Sequence, residues 1–193
     1  MAVNGIAHLD SRVGDATPPH NATILLADYD ASWPTMYLEH EARIRIALGD
    51  KVHGLWHVGS TSVPGLAAKP LIDIILAVAD SSIEDGYVPA LEVAGYRLRR
   101  REPDWFEHRV LKWLPPLEVN LHVFSAGCTE IERMLAFRDW LRINDADRAL
   151  YAATKHRLAS QVWEYVQNYA DAKGEVVEAI IARALSARAQ SLI

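Results

Sequence analysis

The sequence predicts an α+β (α/β) domain, a mixed β-sheet flanked by helices with a helical C-terminal third. Three observations lead there. Short apolar runs bounded by Gly, Pro and Asp dominate residues 52–124, the pattern of strands separated by turns. One of them, Leu71–Val78, is apolar on both faces, which marks a central, covered strand. From Thr129 onward the apolar spacing becomes helical.

In chain order, residues 1–22 are small, polar and Pro-containing and read as a loose tail, with one domain over 23–193. Thr23–Ala27 reads as a short strand. Ser32 as N-cap and Pro34 in the first turn open a helix that runs to about Leu48 and stops at Gly49. Val52–Val58 is a strand ending in the tight Gly59–Gly65 loop. Ile83–Ala94 fits a helix that Gly95 terminates. Tyr96–Arg101, Trp105–Leu114 and Leu117–Phe124 are further strands, with turns at Pro103-Asp104 and Pro115-Pro116. Two apolar stripes mark the helical end: Tyr151, Leu158, Val162, Tyr165, Val166 and Tyr169, then Val176, Val177, Ile180, Ile181, Ala184 and Leu185.

Composition narrows the function classes. Of 193 residues, 50% are apolar and 23% charged, which fits a globular rather than a disordered chain. The formal charge of −5 argues against general nucleic-acid binding. A single cysteine, Cys128, makes no internal disulfide, so a reducing compartment is the default. The N-terminus lacks the basic start and apolar core of an export signal, and the longest apolar run, interrupted by Asp73, is too short to span a bilayer. The expectation is a cytoplasmic protein with no membrane partner.

The chemistry concentrates in Trp56-His57-Val58-Gly59-Ser60-Thr61-Ser62 and Lys69-Pro70-Leu71-Ile72-Asp73-Ile74-Ile75-Leu76. A strand leads into Gly-Ser, a small-residue loop follows, and the next strand carries a carboxylate. Glycine admits close approach to a ligand, and hydroxyls and amides hold phosphate oxygens. A carboxylate in an apolar run must be paired, hydrogen-bonded or metal-bound. Two readings stand at this point: a phosphate loop facing a metal-binding Asp73, or a connecting turn with Asp73 capping nearby backbone. On Leu117–Phe124, Glu118, Asn120 and His122 alternate onto one face, as site groups or as a solvated strand face.

The segment HVGSTSVPGLAAKPLIDI closely resembles the signature of the GrpB family, a member of the nucleotidyltransferase-fold superfamily whose domain is also found fused to dephospho-CoA kinase. Asp28-Tyr-Asp30, Leu91…Gly95-Tyr96, Asn120-Leu-His122-Val, Phe137–Arg142 and Tyr151…Lys155 also fall where the family has similar blocks. The resemblance implies a nucleotidyltransferase-like sheet. It also implies a site in which Gly59, Ser60, Thr61, Ser62 and Lys69 grip a nucleoside triphosphate and Asp73 binds Mg²⁺ or Mn²⁺. The second acid of the superfamily pattern falls at Ile75, which binds no metal. His122 or Glu118 then supplies the missing ligand or base, with Asn120 beside them. Lys155 matches a position that helps hold the triphosphate. His57 orients the loop or touches ligand, or is a hydrogen-bonded core histidine. Arg99 and Arg101 belong to the one dense basic region and read either as a phosphate patch or as charges guarding a sheet edge.

The function expected from this is metal-assisted transfer of a nucleotidyl group from an NTP to a small-molecule acceptor. The alternatives are a nucleotide-binding or CoA-pathway accessory module, which Ile75 favours, and NTP-dependent ligation through a nucleotidyl intermediate.

Overall fold

A computed structural model describes residues 19–114 and 118–190. The expected tail lies largely outside these residues, as does the Pro115-Pro116 turn. Among the described residues the chain runs α1 (Trp33–Leu48), β1 (Gly54–Val58), β2 (Leu71–Val78), α2 (Val88–Val93), β3 (Arg97–Glu102), β4 (His108–Trp113), β5 (Glu118–Ser125), α3 (Thr129–Ile143), α4 (Asp145–Ala159), α5 (Val166–Asp171) and α6 (Gly174–Gln190). The strands form one sheet in the order β1-β2-β5-β4-β3. β2 and β5 run parallel and the other neighbours antiparallel, so the sheet is mixed, as the sequence predicts.

Register sets up everything that follows. Across β2 and β5, Asp73 lies beside Asn120 and Ile75 beside His122, while Val58 of β1 lies beside Asp73. Residues opposite one another share a sheet face. Ile72, Ile74, Leu76, Val119, Leu121 and Val123 form the other face and bury against Ile44 and Leu48 of α1 and Val88 and Leu91 of α2. On the Asp73 face, Ile75, Ala77, Val58 and Phe124 pack under Ile131 of α3. Val63 and Leu66 of the loop after β1 anchor into a third cluster with Leu141, Tyr151 and Ile180. The loop is thus held by the helical third and presented to the Asp73 face.

Several elements differ from the sequence reading, each for a local reason. Thr23–Ala27 makes no strand: single bridges join Ala22 to Trp163 and Ala27 to Ala68. The helix read over Ile83–Ala94 begins at Val88, because Pro89 restricts the residue before it and supplies no N–H; a 3₁₀ turn, Glu84–Gly86, precedes it. Ser32 stands at the start of α1 but its side chain makes no cap; the Asp30 carboxylate instead accepts from the Ser32 N–H at 2.8 Å. The stripe from Tyr151 to Tyr169 is split. α4 ends at Ala159, and the next residues turn to bond Ala22 and His20, leaving Val162 exposed. Among the described residues no helix is long and apolar enough to cross a membrane.

Candidate functional site

The turn after β1 is built around Gly59, whose φ of 69° and ψ of −174° suit only glycine. A Cβ there would lie 2.4 Å from Asp73 Oδ2, so the missing side chain is what admits the carboxylate. Ser60–Ser62 then form a 3₁₀ turn. Thr61 donates to the Leu71 carbonyl at 3.1 Å, and its oxygen lies 3.0 Å from His57 Nε2. Ser62 donates to the Gly59 carbonyl at 2.6 Å. His57 stacks flat on Tyr37, and burial pushes its pKa down to about 4. The side chains of His57, Thr61 and Ser62 are therefore engaged inside the loop and shape it, whereas Gly59 and Ser60 border Asp73. The Ser60 side chain acts on the Tyr151 phenol of α4, pulling its pKa down against the upward push of burial.

α3 locks this loop from behind. Arg138 donates to the His57 carbonyl at 3.0 Å, and Arg142 donates to the Ser62 carbonyl through two nitrogens, at 3.1 and 2.8 Å. This accounts for the Phe137–Arg142 block, whose two arginines tie helix to loop through backbone oxygens.

Asp73 keeps 24% of its side chain open. Asn120 Nδ2 donates to its Oδ1 at 2.9 Å, and His122 Nε2 stands 3.5 Å from the same oxygen. Burial opposes ionisation, but the His122 imidazole, the Asn120 amide and the Lys173 charge hold Asp73 below the usual carboxylate range. The other amide atom, Asn120 Oδ1, is buried without a hydrogen-bond partner. Glu118 lies at the exposed start of the same strand face.

Three lysines gather here, and sequence reading found two of them. Burial lowers Lys69 against the pull of Asp73 and Glu118. Burial lowers Lys173 against the pull of Asp73, and its Nζ lies 4.5 Å from the Tyr169 ring centre. Lys155, 2% exposed, donates to the Ala67 carbonyl, and burial lowers its pKa to about 7. Among the described residues none of the three makes an ion pair within 4 Å, although each loses hydration. Lys173 was missed because it sits alone in the Asp171–Gly174 bend, with no motif to flag it.

The arginines of the basic region lie elsewhere. Plain alternation would put Arg97, Arg99 and Arg101 on one face, but the register shifts between Leu98 and Arg100, with Arg99 at the bulge. Arg101 falls on the α2 side of the sheet and forks onto Glu84 at 2.6 Å through two nitrogens, joined there by Arg109 at 2.7 Å. Neither Arg99 nor Arg101 is brought to Asp73. Glu102, which the sequence reading did not single out, lies behind His122 through His108, a member of that basic region. His122 Nδ1 is 3.1 Å from His108 Nε2, and His108 Nδ1 is 2.6 Å from Glu102 Oε2.

Among the described residues no three His, Cys, Asp or Glu side chains converge as a preformed metal cage. The donor set at Asp73 is that of an open site, one partly exposed carboxylate. This suits a hard divalent ion that keeps phosphate and water ligands.

Comparison with known proteins agrees with this architecture. The family model described as GrpB protein matches residues 23–183. A UPF0157 protein of Halalkalibacterium halodurans is 58% identical over 166 residues, 86% of this chain and 85% of that protein. A dephospho-CoA kinase of Mycolicibacterium paratuberculosis is 30% identical over 159 residues, covering 69% of this chain and 39% of the kinase. The crystal structure of the conserved protein GrpB from Enterococcus faecalis superimposes with a TM-score of 0.73 at 28% identity, over 85% of this chain and 99% of that one. The chain belongs to the GrpB protein family.

Proposed function

We propose that the sheet face around Asp73 binds a nucleoside triphosphate and that the protein transfers its nucleotidyl group to a small-molecule acceptor with the help of a divalent ion. The observation that carries this is the meeting of one partly exposed carboxylate, bonded by Asn120, with the partly dehydrated charges of Lys69 and Lys173. Lys69, Lys155 and Lys173 neutralise the phosphates and hold the leaving pyrophosphate, as transfer of a nucleotidyl group requires. Gly59 lets the Asp73 carboxylate lie against the turn, and Ser60 next to it offers a hydroxyl to the phosphates. Mg²⁺ or Mn²⁺ held by Asp73 would supply charge neutralisation on the transferred phosphate. Glu118, exposed at the start of the same strand face, would take the acceptor's proton.

A second reading, a nucleotide-binding or CoA-pathway accessory module without turnover, is favoured by Ile75, which is 0% exposed and fills the second-acid position with core. One experiment separates the two. Thermal shifts with ATP, GTP, CTP and UTP, each with and without Mg²⁺ or Mn²⁺, are read on the wild type and Asp73→Asn. The same mixtures with small hydroxyl and amine acceptors are assayed for pyrophosphate. Ligand at about 100 times its Kd stabilises by about 2.7 kcal/mol, a shift of about 5–11 °C for a chain of this size. A metal-dependent shift lost in Asp73→Asn, with pyrophosphate released, supports transfer. The same shift without turnover supports the accessory module, and no shift with any nucleotide overturns both.

A further inference from the structure

We infer that the groove between α1 and α2 is a self-association surface, and that a second copy of this chain occupies it about a two-fold axis, with Glu39 of each copy against Arg43 of the other. α1 and α2 cover the sheet face opposite Asp73, and their groove opens away from it, so nothing in this contact depends on the reading above.

The helix pattern makes the groove. Glu39, Arg43 and Ile46 are spaced i, i+4, i+7 and share one flank of α1, beside the stripe that buries Ile44 and Leu48. The facing flank of α2 carries Val93 between Ala90 and Ala94. Alanines on both helices, with Ala47 on α1, leave a recess of about 580 Å³. Its apolar rims are open, with Ile46 86% and Val93 92% exposed. Lone exposed apolar side chains are ordinary, but here two of them edge one concave apolar surface, the form of an interaction site.

The charges choose the occupant. α1 holds two Glu-to-Arg pairs at i, i+4 spacing. Glu41 and Arg45 close theirs at 2.7 Å. Glu39 and Arg43 have the same spacing, yet among the described residues neither makes an ion pair within 4 Å, and Arg43 lies over the Trp113 ring at 4.6 Å instead. The groove is thus edged by one open anion and one open cation, one helical turn apart. A small charged ligand is drawn to one and repelled by the other. A second α1 running antiparallel answers both: reversal about an axis midway between residues 39 and 43 sets each glutamate on the other copy's arginine. An isologous contact needs a surface that complements itself, and this flank does so in charge. The same contact covers the rims at Ile46 and Val93, giving an apolar centre within a charged border.

The test is sedimentation velocity of the full chain over a dilution series, with near-UV circular dichroism to check that each variant keeps the fold. The wild type should form a dimer that dissociates on dilution. Glu39→Arg and Arg43→Glu each set two like-charge contacts across the axis and should weaken the dimer at least about tenfold. The double variant, Glu39→Arg with Arg43→Glu, exchanges the signs and remakes both pairs, so its dimer should return to within about threefold of the wild type. Ile46→Asn, a change at an exposed side chain outside the core, should weaken the dimer about tenfold. A wild type that is monomeric at every concentration overturns the proposal and leaves the groove to an unlike partner. A dimer that ignores both single reversals, or one that the double reversal does not restore, overturns it as well.

Discussion

Gly59→Ala tests the geometry at its tightest point. The methyl group would meet Asp73 Oδ2 at 2.4 Å and the Asp73 Cβ and Cγ at 3.1 Å. The backbone at φ 69° and ψ −174° lies in a region that side-chain-bearing residues occupy only at about 1–3 kcal/mol. The carboxylate must also swing off the Asn120 amide, which costs about 1–3 kcal/mol more for a partly buried charged group. The sum is about 4 kcal/mol, or about 8–16 °C in Tm for a chain of this length. Urea and thermal unfolding of Gly59→Ala, Asp73→Ala and the double variant close a cycle. Because the clash needs both side chains, the double variant should be about 1–2 kcal/mol more stable than additivity demands. Additive effects within about 0.5 kcal/mol, or a Gly59→Ala protein as stable as the wild type, would refute the claim that Gly59 exists to admit Asp73.

Other perturbations probe the remaining supports. His57 folds with a pKa of about 4, against an ordinary 6.5, through burial, so the unfolded chain binds the extra proton between those values. Stability from this group is complete above pH 6.5 and is lost as pH falls toward 4; His57→Phe should flatten the slope of unfolding free energy against pH by about one proton. Arg142→Lys should lower the urea midpoint by the equivalent of about 1–2 kcal/mol, since an ammonium cannot reproduce the forked contact on the Ser62 carbonyl. Lys155→Met should keep stability within about 1 kcal/mol of the wild type, because it removes a dehydrated ammonium along with its bond to Ala67, while pyrophosphate affinity falls about tenfold. Unchanged pyrophosphate binding in calorimetry would remove Lys155 from the anion site.

What could be read from the sequence divides along physical lines. Strand alternation is local, so the shared face of Glu118, Asn120 and His122 was legible, as was the burial of β2. The glycine at 59 and the carboxylate at 73 each break a local pattern, which is why they stood out. The bulge at Arg99 was not legible, because a one-residue register shift leaves no mark in composition, yet it turns Arg101 away from the site. Lys173 and Glu102 were equally invisible. One comes from the bend before α6 and the other from the sheet edge, and only tertiary packing brings them to Asp73 and His108. Tyr151 and Lys155 lie one helical turn apart, and that spacing is the local signal that was available.

The position of Ile75 shows why a second acid is not simply missing. It is fully buried among Val58, Ala77, Phe124 and Ile131 and lies directly beside His122 in the parallel register. In Ile75→Asp, the lost apolar contact costs about 2–3 kcal/mol, and an unpaired buried carboxyl adds at least about 1 kcal/mol. The variant should therefore lose at least about 3 kcal/mol in urea unfolding and should not bind Mg²⁺ more tightly in calorimetry. A stable Ile75→Asp protein with tenfold tighter Mg²⁺ binding would mean that the apolar floor is dispensable and that a two-acid site lies one substitution away. The expected loss would leave Asn120 and His122 of the neighbouring strand as the side chains that meet Asp73 across the parallel register.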